Sequence, residues 1–114
     1  MWGPRRAEFG AMTAQISHNP TQQRFEARLA PESGFAEYLA VCEYRQQGPL
    51  LVLHHTEVPA ELQGRGVAAE LVAAALDWAR AQGFQVRPSC SYVAQYMQRH
   101  PATLDLLQGG ELPP

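Results

Sequence analysis

The sequence contains no lysine: its nine basic residues are all arginine, set against eleven acidic residues for a formal charge of -2. Without a cationic surplus there is no broad surface for a phosphate backbone, and nucleic acid is not an expected partner. An all-arginine set suits bidentate phosphate contacts but equally suits a GC-rich genome, so it carries little weight. Cysteine is scarce as well. Cys42 and Cys90 are too few for a disulfide framework and show no metal-ligand spacing with the four histidines, so both thiols are expected to be reduced. No run approaches the roughly 18 consecutive apolar residues of a membrane span, and the N-terminus lacks the apolar region of a signal peptide. These absences give the expectation of a cytoplasmic protein that uses no membrane. What is present is enough apolar material, 46% of 114 residues, for one core without metal or disulfide staples.

Residues 1–14 mix Gly3, Pro4, Arg5, Arg6 and Gly10 without apolar periodicity and read as a disordered extension, with Met12 as a second candidate start. One domain is expected over residues 15–108, followed by a disordered tail over residues 109–114. Inside the domain a short strand is expected over residues 15–18, and a turn at Asn19-Pro20-Thr21 leads to a strand over residues 24–29, where Phe25, Ala27 and Leu29 alternate with charged residues. A further strand is read over residues 35–45 from Ala36, Tyr38, Ala40 and Cys42. Residues 50–58 are apolar on both faces before turning polar, as in a central strand. From Gly66 the period becomes helical, with Val67, Leu71, Ala75 and Trp78 in one stripe and Gly83 as a stop. A strand over residues 84–87 closes a βαβ unit. A short helix over residues 92–100 follows, and Leu104, Leu106 and Leu107 dock on the core. The fold class is therefore α/β (α+β).

The loop Gln63-Gly64-Arg65-Gly66-Val67-Ala68 lies between the central strand and the alanine-rich helix. Unpaired N–H groups of a first helical turn converge there, glycines let a phosphate approach the backbone, and the helix dipole adds about 0.3–1 kcal/mol. Arg65 is a candidate for a charge-assisted contact to the same anion. The bland alternative is an ordinary glycine-rich turn that binds nothing. Neither the Gly-x-x-x-x-Gly-Lys-Ser/Thr loop nor the Gly-x-Gly-x-x-Gly fingerprint fits, since Ala69 occupies the third glycine position of the latter.

With those residues in view, the loop resembles the Gln/Arg-x-x-Gly-x-Gly/Ala signature of the GNAT acetyltransferase superfamily, with Gln63, Gly66 and Ala68 at its defined positions. His55-Thr56-Glu57-Val58-Pro59, Pro88-Ser89-Cys90-Ser91-Tyr92-Val93 and Arg99-His100-Pro101 look like the minimal YjdJ-type branch of that superfamily. The resemblance implies a mixed, mostly antiparallel sheet split between its fourth and fifth strands. It implies coenzyme A, or acetyl-CoA, as the ligand, with its pyrophosphate on residues 63–68 and its pantetheine arm against the backbone of Glu57 and Val58. An N–H near Val58 would then polarise the thioester carbonyl. It also places Cys90 near the acetyl group, as a nucleophile in place of the buried free thiol that composition alone suggests.

His55 is a candidate general base or partner of that thiol, because imidazole exchanges protons near neutral pH; by strand alternation it shares a face with Glu57 and not with His54. Tyr92, Tyr96 and Arg99 are candidate channel residues, while Trp78 and Cys42 read as core. The expected activity is acetyl transfer to an unidentified acceptor, an amine by family analogy. Against fuller members of the resembled superfamily, whose additional N-terminal helices build the acceptor wall, this chain is expected to be short, leaving room for an acceptor wall completed by a partner, in a monomer or weak homodimer. The competing readings are a non-catalytic acyl-CoA binding module and an interaction domain whose loop is idle.

Overall fold

In the computed structural model, residues 14–110 are described. The extension expected over residues 1–14, apart from Ala14, and the tail residues 111–114 lie outside them. Five strands form one sheet in the order β1-β2-β3-β4-β5: β1 (Ala14–Asn19), β2 (Arg24–Leu29), β3 (Ala40–Gln47), β4 (Leu50–Glu57) and β5 (Gln85–Pro88). The first three pairings are antiparallel and β4 with β5 is parallel. The parallel pair needs a crossover, supplied by α1 (Val67–Gln82); α2 (Ser91–Arg99) follows β5. The architecture is the mixed, mostly antiparallel sheet with a βαβ unit that the sequence led us to expect.

Alternation builds one dry face and one wetter face, on which Val41 and Val52 are nevertheless buried. Ile16, Phe25, Ala27, Cys42, Tyr44, Leu51, Leu53 and Val86 point to the dry face and share one core with Leu71, Val72 and Ala75 of α1 and Val93 and Met97 of α2. At about 25 cal/mol per Å² of apolar surface, this burial is the main stabilising term. Gly83 ends α1 with φ +76°, its N–H meeting the Ala79 and Arg80 carbonyls. Leu106 and Leu107 are buried, and Leu107 bridges to Val86. No described helix is long and apolar enough to cross a membrane.

Most boundaries differ from expectation by a residue, as at β4, β5 and α2, and three differences say more. Ala14 already belongs to β1 and is buried, so the domain starts one residue early. Gly109 and Gly110 form a short 3-10 turn with Gln108. The strand expected over residues 35–45 starts only at Ala40 and runs on to Gln47. Residues 35–38 turn instead, with the Tyr38 N–H on the Phe35 carbonyl (3.1 Å) and the Phe35 N–H on Ser33 Oγ (3.0 Å). The alternation of small and aromatic residues there is genuine, but local bonds consume the backbone groups a strand would need.

Candidate functional site

β4 changes character halfway along. Over Leu50–Leu53 it is held on both sides, by β3 and by Gln85–Pro88 of β5. At Leu53 the second partner leaves: its carbonyl accepts the Cys90 N–H at 3.1 Å and the Ser89 hydroxyl at 3.4 Å, and α2 begins at Ser91. From His54 to Glu57 only β3 pairs with β4, so one edge of the strand is left for another partner. The expected split between fourth and fifth strands is therefore visible in the pairing.

A bulge coincides with that split. Tyr44 pairs with Leu53 and Glu43 with His55, leaving His54 as the extra residue. One inserted residue reverses which face every later side chain takes. Thr56, which plain alternation from Leu53 would send to the wet face, pairs with Cys42 on the dry face. Its hydroxyl lies 3.9 Å from Cys42 Sγ and accepts from the Cys90 thiol at 3.7 Å. His55 and Glu57 point the other way, are exposed, and bond each other at 3.1 Å. Cys90 thus meets Thr56, and His55 is not the partner of its thiol.

Beyond Glu57 a 3-10 turn (Ala60–Leu62) leads into the glycine loop. Gly64 (φ +77°) and Gly66 (φ +76°) both take the left-handed conformation, where a Cβ is strained. The first bond within α1 runs from the Glu70 N–H to the Gly66 carbonyl, at 3.1 Å. The N–H groups of Val67, Ala68 and Ala69 therefore have no acceptor one turn back, and no side chain caps the helix. They open on a pocket of about 210 Å³ lined by Val58, Leu62, Gln63, Gly64, Gly66, Val67, Ala68, Ala69 and, from α2, Tyr92. Backbone donors, two glycines that leave room and a helix N-terminus are the components of an anion cradle.

Two loop side chains serve the protein itself. Gln63 donates its amide N–H to the Val58 carbonyl at 3.0 Å, tying the loop to the end of β4. Arg65 donates to the Glu61 carbonyl at 3.3 Å and lies over the Phe35 ring, 5.0 Å from its centre. Arg65 is not among the residues that line the pocket. Tyr92 lines the pocket, whereas Tyr96 stacks on His100 at 3.9 Å. Thr56 and Leu62 were not singled out by sequence reasoning. Nothing in a linear pattern marks Thr56, because the bulge that aims it is a property of strand pairing.

A split sheet, a bulged strand at the split and an uncapped helix behind a glycine loop make an α/β fold with an anion cradle beside an open strand edge. The profile described as GCN5-related N-acetyl-transferase matches residues 24–106, and the chain belongs to that acetyltransferase family. Among its relatives, Protein NATD1 of Gallus gallus is 34% identical over 88 residues, 76% of each chain. Protein NATD1 of Homo sapiens is 33% identical over 76% of this chain and 74% of its own. The NMR solution structure of a GCN5-like protein from Staphylococcus aureus superposes with a TM-score of 0.62, covering 82% of this chain and 87% of the other at 24% identity. That likeness speaks for the fold.

Proposed function

We propose that the protein is an acetyl-CoA-dependent acetyltransferase of the minimal, YjdJ-type kind, acting in the cytoplasm on an amine, with Cys90 as the acetyl-accepting nucleophile. The observation that carries this reading is the position of the pocket at the start of α1, bounded by Val58, the residue that follows the open edge of β4, and by Tyr92 of α2, the helix that Cys90 caps. The residues fit the donor substrate. Unpaired N–H groups of Val67, Ala68 and Ala69 suit a pyrophosphate, and the free edge at residues 54–57 suits the amides of an extended pantetheine arm. The donor supplies an acetyl group already activated as a thioester.

Cys90 stands where β4 and β5 part, at the N-cap of α2. Its sulfur forms a bond to the carbonyl carbon as the carbon–sulfur bond to coenzyme A breaks. The proton leaving Cys90 is balanced by the proton taken up by the departing coenzyme A thiolate. Attack of the amine forms a carbon–nitrogen bond as the carbon–sulfur bond to Cys90 breaks; the amine loses one proton and the released Cys90 sulfur takes one up. His55, held by Glu57 and open to solvent on the other face, serves the acceptor's proton and not the thiol's.

Mass spectrometry after incubation with acetyl-CoA alone tests this directly. One acetyl group should be found on Cys90, absent from Cys90→Ala; an unmodified protein would refute the covalent route. Coenzyme A at about 100 times its Kd should add about 2.7 kcal/mol of stability, and an unchanged melting temperature would remove the ligand altogether. A thermal shift with no coenzyme A release on any amine panel would favour an acyl-CoA binding module.

A further inference from the structure

We infer that Thr56 is a positioning residue for Cys90: through the His54 bulge its hydroxyl is aimed at the Cys90 sulfur, where it directs the thiol and donates to it once the thiol proton has left. The inference rests on the reading of Cys90 as nucleophile and deepens it. Three observations meet at Thr56. The register shift opposite Glu43 and Tyr44 turns its side chain onto the face of Cys42. The Cys90 thiol donates to its oxygen at 3.7 Å. Its own hydroxyl proton is directed at Cys42 Sγ, 3.9 Å away.

The row Cys90–Thr56–Cys42 is a line of rotors. With Cys90 protonated, the chain of donors runs from Cys90 through Thr56 to Cys42. When Cys90 loses its proton its sulfur can only accept, so the Thr56 hydroxyl must turn toward it. That turn leaves the Thr56 oxygen free to accept from Cys42, which keeps its proton because burial pushes its thiol up to about 12. Both bonds reverse by rotation about single bonds, and the nucleophilic sulfur gains a charge-assisted donor. Cys42 is the ionisable group facing Cys90 across Thr56; Glu43, its strand neighbour, points to the opposite face with His55. On α2, Tyr92 lines the pocket two residues beyond Cys90. The bulge is thus explained as a device that re-aims one side chain next to a reactive site.

The test is the rate of iodoacetamide alkylation of Cys90 across a pH series in the full chain without donor. Thr56→Val should slow it about tenfold at neutral pH, the loss of one charge-assisted hydrogen bond, and Thr56→Ser should restore it. Cys42→Ala should slow it several-fold, since the outer donor is gone, and also shows that the signal comes from Cys90. Circular dichroism screens each variant for folding; if Thr56→Val does not fold, the Thr56→Ser and Cys42→Ala pair decides. Alkylation of Thr56→Val at the parent rate, or of Cys42→Ala at the parent rate in that fallback, would reduce Thr56 to packing. Because alkylation needs no acetyl-CoA, a missing acetyl adduct with these rates intact would overturn the covalent reading and leave the role of Thr56 standing.

Discussion

The two halves of β4 obey different rules. Leu50–Leu53 is paired on both edges, and Leu51 and Leu53 have no exposed surface. His54–Glu57 is paired on one edge and polar, with His55 and Glu57 in solvent. The first half holds the domain together and the second presents an edge, a bulge and a hydroxyl to whatever enters the split. The two halves meet at a single residue, Leu53, whose side chain is core and whose carbonyl accepts the Cys90 N–H. A scaffold strand that loses one neighbour can gain a ligand without losing its place in the sheet.

Leu53→Ala should break the comparison most violently, removing a fully buried side chain from the lower half at a cost of about 2–5 kcal/mol. Urea unfolding measures it, and a cost under about 1 kcal/mol would mean that the strand is not held by packing there. Gly66→Ala comes next, at about 1–2 kcal/mol, because φ is +76°. No atom lies within 4 Å of the added Cβ, so that cost is conformational. Isothermal titration should also show weaker coenzyme A binding as the loop shifts, and an unchanged affinity would detach the loop from the ligand.

A smaller effect distinguishes the dry end of the sheet. His18 bonds the Tyr44 hydroxyl at 2.6 Å and stacks on Phe25 at 4.2 Å, and burial holds its imidazole below the ordinary value of 6.5. As pH falls through 6.5 the unfolded chain takes up a proton that the folded one resists, so stability declines and levels off only below the folded value. His18→Phe should flatten that part of the stability–pH curve, as followed by melting between neutral and mildly acidic pH. The smallest change in stability belongs to His55→Gln in the upper half, within about 0.5 kcal/mol. Acetylation of Cys90 should survive it while the pH profile of transfer to an amine changes; loss of Cys90 acetylation instead would bring His55 back to the thiol.

Much of this was legible in the chain. Val67, Leu71, Ala75 and Gly83 announced α1 because its stripe and its stop are local, and the glycine loop announced a cradle for the same reason. Residues 35–39 misled, since Ala36 and Tyr38 alternate like a strand but their backbone is spent on a turn. Arg65 has contacts that a linear pattern does not show: its Nε–H is on the Glu61 carbonyl and its guanidinium lies over the Phe35 ring, from adjacent and distant segments.

By itself the sequence determined the element order, the dry face of the sheet and the helix start at the glycines, all of which follow from local pattern and backbone freedom; the family was legible only by resemblance. Tertiary structure alone decided which way His55, Thr56 and Arg65 point. The reason is physical: a strand's alternation is read from neighbours in the chain, but its phase is fixed by hydrogen bonds to other strands. One bulge at His54 therefore hands Cys90 a hydroxyl and turns the histidine away.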